Sequence, residues 1–172
     1  KLGVPDYAAH MFIFYYAVLS EVSPPTALSP FAAAAITGGN PYITTLQSWK
    51  YTMPAFLLPF VFVLDPIGTG LLLKVPPGGS WLDIAAITGL AAAGVGVLAF
   101  AAQGRILRRS SWAETALLSV AGLLLIFPRL IDGITGTLLS TTIPYKVVLG
   151  AAIALGVAGL QWMSLSRREA AR

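Results

Sequence analysis

Cysteine is absent from the 172 residues, which removes disulfides, thiolate chemistry and Cys-based zinc sites. Histidine occurs once, at His10, and Asp and Glu together number seven. Nothing in the sequence resembles a phosphate loop, a nucleophile triad or a metal-binding cluster of His and acidic residues, and no enzymatic activity is expected. The shortage that decides most is charge. Charged residues make up 10% of the chain and apolar ones 56%, against about 25% charge in an ordinary soluble domain. Such a fold cannot cover its surface with polar groups, so lipid is the expected solvent and the length is to be counted in membrane spans. A net charge of +4 would point to nucleic acid in a soluble protein. In a membrane chain the position of each charge matters more, and no nucleic-acid partner is expected.

A hydrocarbon core of about 30 Å takes roughly 20 apolar residues of helix. Three stretches meet that length cleanly: Leu82 to Ala102, Trp112 to Ile131 and Val147 to Leu165. A fourth, Leu46 to Leu64, contains Pro54 and Pro59 and is expected to be a kinked helix whose freed carbonyls are satisfied by neighbouring helices. The first apolar stretch is different. It runs from residue 7 to 37, long for one span, and the sequence Ser20-Glu21-Val22-Ser23-Pro24-Pro25-Thr26 interrupts it. Each proline removes a backbone donor and biases the preceding residue away from the α region. Two half-helices meeting at a non-helical turn are therefore expected. The fold class is all-α and integral to the membrane: one discontinuous, Pro-Pro broken helix plus four transmembrane helices.

Backbone that unwinds inside a bilayer persists only where it is buried in protein or lines a cavity. Secondary transporters use such breaks, with helix N-termini facing anionic groups and freed carbonyls holding Na⁺. Ser20, Ser23 and Thr26 add hydroxyl oxygens to the carbonyls around Pro24 and Pro25, so a cation or substrate site can form here. A kinked helix whose hydroxyls bond back to their own chain fits the same residues, and the pattern leaves both readings open. Glu21 is the acid expected closest to the membrane midplane. A charge there costs roughly 2.5–3.5 kcal/mol on insertion scales, so it is expected at the wet mouth of a cavity, as a ligand, or as a proton relay. Thr26 is expected to open and cap the second half-helix. His10 and the aromatic set Phe12, Phe14, Tyr15 and Tyr16 read as packing and interface residues. Gly89, Ala93, Gly94 and Gly96, and Ala152, Gly156 and Gly159, are expected to permit close helix approach, and Arg129 and Asp132 to pair at i, i+3.

Basic residues orient the chain. Lys50, Arg105, Arg108, Arg109, Arg167, Arg168 and Arg172 fall on one side; Lys74, Arg129 and Lys146 fall on the other. The majority side is expected to be cytoplasmic, with the C-terminus there. The Pro- and Gly-rich segment 67–81 becomes an external linker between two domains: 1–66, holding the broken helix 7–37 and the helix 46–64, and 82–172, a three-helix membrane region. The chain starts Lys1-Leu2-Gly3 without a signal-peptide pattern, and is expected to be a piece of something longer.

The run from His10 to Leu28, with its Ser23-Pro24-Pro25 turn, resembles the late part of the large permease subunit of tripartite ATP-independent periplasmic (TRAP) transporters, where a Thr-Pro-Pro turn follows an apolar helix. The continuation through Ala32–Ala35, Gly38, Gly39 and Trp49 to Asp65-Pro66 is similar to the fused permeases of the TAXI branch, and the tail from Gly79 to Pro128 to their extra C-terminal membrane region. The resemblance implies a permease of two inverted repeats in a bacterial inner membrane. It implies Na⁺-coupled import of organic acids or related solutes delivered by a periplasmic binding protein. This chain would hold the end of the second repeat plus the appendage, so it would need the rest of the permease to transport. The family's Na⁺-binding turn maps onto Ser23, Pro24 and Pro25, with Ser20, Glu21 and Thr26 adjacent, and Ser23 as a Na⁺ ligand. No cofactor is implied beyond the coupling ion. Ser in place of Thr keeps the hydroxyl, while Thr26 stands where the family often has an apolar residue. Two other readings remain: a non-transporting membrane scaffold, and a proton-coupled carrier that titrates Glu21.

Overall fold

The structure is a computed structural model describing residues 3–65, 68–75, 79–128, 131 and 145–170. Among these, the regular structure is helical throughout. It comprises α1 (Asp6–Leu19), a single 3₁₀ turn (Ser20–Val22), α2 (Leu28–Thr37), α3 (Pro41–Leu64), a second 3₁₀ segment (Gly68–Leu72), α4 (Trp81–Gln103), α5 (Trp112–Ile126) and α6 (Lys146–Ala170). The chain divides into two compact units, residues 1–84 and 85–172. The Arg129–Asp132 pair and, within the Pro-rich linker, residues 67 and 76–78 lie outside the described residues.

In the first unit, α1 and α2 both pack on α3. Helix α3 begins at Pro41, five residues before the expected start. The local chemistry explains this. The Asn40 side chain accepts from the Tyr42 and Ile43 amides at 3.0 and 3.2 Å, with Pro41 at the first helical position. An N-cap oxygen satisfies otherwise unpaired amides, and proline's missing N–H is not needed there. Pro54 and Pro59 lie inside α3 and are buried, and the helix runs through both. The four-alanine run places strong helix formers in α2, which ends at Gly38 with φ +72°, a left-handed conformation that glycine adopts without a Cβ clash. Aromatic rings fill the α1–α3 contact. Phe12 and Tyr16 meet Phe60 with centroids 5.4 and 6.0 Å apart, and the Tyr16 hydroxyl donates to the Phe56 carbonyl at 2.6 Å. Between α2 and α3, Phe31 meets Tyr42 edge-on at 5.7 Å.

The segment expected to be an irregular linker starts with ordered chain. Gly68, Thr69 and Gly70 are buried, and a Cβ on Gly68 would collide with the Val61 carbonyl of α3. Lys74 then places its ammonium 5.8 Å from the Tyr7 ring of α1.

In the second unit, Ala101 of α4, Leu118 of α5 and Val157 of α6 form a shared core. Of the glycines expected to allow close approach, Gly94 does so: a Cβ there would run into Ile126 of α5. Gly89, Gly96, Gly156 and Gly159 have open space instead. The other close contacts are at Gly122, where a Cβ would lie 2.5 Å from Leu98, and at Gly150, where it would lie 3.0 Å from the Ala121 carbonyl. Small residues lower the approach distance only on the face that meets a neighbour, and sequence spacing does not say which face that is.

Helix α5 ends at Ile126 rather than Ile131, because Pro128 has no N–H to continue the ladder. Among the described residues, two helices are long and apolar enough to cross a bilayer, Trp81–Gln103 and Lys146–Arg167. Helix α5 has 15 residues. The first half of α3 is diluted by Thr44, Thr45, Gln47, Ser48, Lys50 and Thr52.

Candidate functional site

The turn between α1 and α2 gathers the residues that the sequence singled out. Helix α1 closes at Leu19, Ser20–Val22 tightens into a 3₁₀ turn, and Ser23 is extended with φ −119° and ψ 149°. Pro24 and Pro25 follow, joined by a cis peptide bond. As prolines they cannot return the i→i−4 bonds that the Ser20 and Glu21 carbonyls would receive in a continuing helix.

Side chains take up part of that loss. Thr26 Oγ1 donates to the Ser20 carbonyl at 2.5 Å, and the Ser23 amide reaches the same oxygen at 3.4 Å. Ser20 Oγ donates to the Ala17 carbonyl at 2.6 Å, and Ser23 Oγ to the Leu19 carbonyl at 3.2 Å. Three hydroxyls within seven residues thus each direct their single proton into the chain. A hydroxyl that donates still keeps two acceptor lone pairs, so the oxygens remain available as hard donors. Ser20, Val22 and Ser23 are half-buried, and Glu21, Pro24, Pro25 and Thr26 are exposed. Glu21 forms no ion pair among the described residues.

Thr26 does not cap α2. The N-cap position belongs to Ala27, which is buried, has φ 45° and makes no side-chain cap bond. The reason is geometric: Thr26 is committed backwards to Ser20, and the Ala27 amide bonds the Ser23 carbonyl at 3.0 Å. His10 is exposed, on the helix that leads to this turn. No group of three His, Cys, Asp or Glu residues that could hold a metal occurs among the described residues.

A second polar centre, in the other unit, was missed by the sequence reading. Gln161 of α6 is fully buried, at 0% exposure. Its Oε1 accepts from the Leu107 and Arg108 amides at 3.2 and 3.4 Å, and its Nε2 donates to Ser110 Oγ at 3.0 Å and Glu114 Oε2 at 3.3 Å. Glu114 also pairs with Arg108 at 2.6 Å and closes a capping box with Ser111. Arg108 Nε donates to Ser164 Oγ at 3.0 Å. The signals were present: Ser111-x-x-Glu114 is a capping box, and Gln161 is an amide in an otherwise apolar run.

A chain that holds both apolar helices of bilayer-crossing length and a helix pair joined by a hydroxyl-lined turn has the makings of a helical membrane protein. Residues 1–67 match the family model described as tripartite ATP-independent periplasmic transporter, DctM component. That match takes in α1, the turn, α2 and α3, and supports a TRAP-type transporter permease. Neither a curated protein nor a solved structure matches the chain.

Proposed function

We propose that this chain is the C-terminal part of a Na⁺-coupled TRAP-type permease of the fused TAXI kind, and that the Ser20–Thr26 turn holds part of its coupling-ion site. The observation that carries the reading is a coincidence: the family match over residues 1–67 contains the turn in which Pro24 and Pro25 interrupt the helix and three hydroxyls bond back to backbone carbonyls. Na⁺ is a hard cation that takes oxygen ligands, and transporters supply them from broken helices. In this reading Ser23 Oγ and the carbonyls around Pro24 are ligands. Ser20 and Thr26 hold the turn in shape, and exposed Glu21 offsets cation charge at the cavity mouth. The permease takes organic acids or related solutes from a periplasmic binding protein, sits in the bacterial inner membrane, and keeps its C-terminus in the cytoplasm with the arginine-rich ends.

The test is uptake by the complete permease in proteoliposomes with its binding protein, over a range of Na⁺ gradients. Ser23→Ala should raise the Na⁺ concentration for half-maximal uptake by about tenfold, equivalent to about 1.4 kcal/mol of lost ligation. Unchanged Na⁺ dependence in that variant overturns the assignment. Uptake that ignores Na⁺ and fails in Glu21→Gln transfers the coupling to a proton. A parent that moves no solute under any gradient makes the chain a scaffold.

A further inference from the structure

We propose that the α4–α5 connection is a binding site for the phosphate of an anionic phospholipid, with Arg105 and Arg109 as its cationic pair and Trp112 and Trp162 as its interfacial flank. The loop is built, not loose. Helix α4 stops at Gln103, Gly104 turns the chain with φ +68°, and the Ser110 amide bonds the Gly104 carbonyl at 2.9 Å. Across this closed loop, Arg105 and Arg109 form an antiparallel bridge. Residues directly opposite in such a pair carry their side chains on one face, about 4.5–5.5 Å apart at Cβ, and like charges there repel.

Nothing within the described residues relieves that repulsion. Among the described side chains, the acid that the loop contacts, Glu114, is taken by Arg108 at 2.6 Å. Arg105 and Arg109 are both exposed and neither joins an ion pair among the described residues. Two guanidiniums on one face make a fork that suits phosphate oxygens.

The surroundings select a lipid over a soluble anion. The loop follows directly on the end of a helix of bilayer-crossing length, Trp81–Gln103, which puts it at headgroup depth. Trp112, the first residue of α5, is 85% exposed, and Trp162, next to the Gln161 that grips the loop, is 66% exposed. Tryptophan favours the membrane–water boundary. Leu107 at the tip of the loop is exposed as well. Fully buried Gln161 holds the loop by its Leu107 and Arg108 amides, so the arginine pair is presented by a fixed backbone. The inference needs these helices to span a bilayer, but is independent of which ion drives transport.

The experiment uses the full chain in lipid nanodiscs, in a Trp49→Phe, Trp81→Phe background in which Trp112 and Trp162 carry the fluorescence. Quenching is titrated with phosphatidylglycerol and with phosphatidylcholine, each brominated near the head of the acyl chain. The anionic lipid should be preferred by about tenfold or more, from roughly one interaction step per arginine near an anionic headgroup. Arg105→Gln with Arg109→Gln should abolish the preference while leaving quenching by the zwitterionic lipid intact. If the double variant loses helical circular dichroism, the single variants, each expected to lose about fivefold, decide the matter. Equal quenching by both lipids in the parent, or a preference that survives the substitutions, refutes the site. Displacement of the anionic lipid by millimolar glycerophosphate also overturns it, because the site would then take a soluble anion.

Discussion

Replacing Gln161 by Met keeps the volume and removes the amide, so it isolates the polar centre of the second unit from its packing. In the native chain the Gln161 side chain makes four hydrogen bonds, two from backbone amides and two to side-chain oxygens, at 3.0–3.4 Å and with no exposure of its own. Methionine strands the Leu107 and Arg108 amides and deprives Ser110 Oγ and Glu114 of one donor each. A buried group left unpaired costs about 1–3 kcal/mol. Arg108 is half-buried and Leu107 exposed, so water recovers part of the loss. The sum falls at about 2–4 kcal/mol rather than at the limit for four fully buried groups. The assay is reversible unfolding in mixed micelles with rising denaturing detergent, followed by helical circular dichroism. Ser166→Ala, which removes only an exposed bond to the Met163 carbonyl, serves as the reference at under about 0.5 kcal/mol. A Gln161→Met variant within about 0.5 kcal/mol of the parent would refute the argument. It would mean that the loop amides are satisfied without the side chain.

Gly122→Ala should destabilise the second unit by about 1–3 kcal/mol, because its Cβ would sit 2.5 Å from Leu98 and 3.1 Å from the Gly94 carbonyl. Gly156→Ala, with nothing within 4 Å, should be neutral or better; equal losses for the two in the same micelle assay would refute the close crossing of α4 and α5. Tyr16→Phe removes the 2.6 Å bond from α1 to the Phe56 carbonyl and should cost about 0.5–1.5 kcal/mol, read as a lower melting temperature in detergent. No loss would mean that the hydroxyl is satisfied elsewhere.

The helical, apolar character of this chain was legible because it is a one-dimensional property. Charge scarcity names the solvent, and runs of about 20 apolar residues name the elements. The end of α1 was legible for a local reason, since no tertiary contact can supply the amide protons that Pro24 and Pro25 lack. Asn40-Pro41 and Ser111-x-x-Glu114 were equally local helix-start signals, and reading them would have corrected the boundary of α3 and exposed half of the Gln161 centre.

What the sequence by itself determined, then, is the solvent, the apolar helices and the place where α1 must stop. Only the tertiary structure decided which small residues meet a neighbour, since Gly94 and Gly122 touch across a helix pair while Gly156, in an equally suitable pattern, faces open space. The same holds for Thr26, whose hydroxyl turns back to Ser20 instead of capping α2, and for Gln161, whose partners lie about fifty residues away in sequence. The physical reason is common to all three. Backbone donors and apolar length are set by residue type, whereas the partner of a side chain depends on which surfaces the helices bring together.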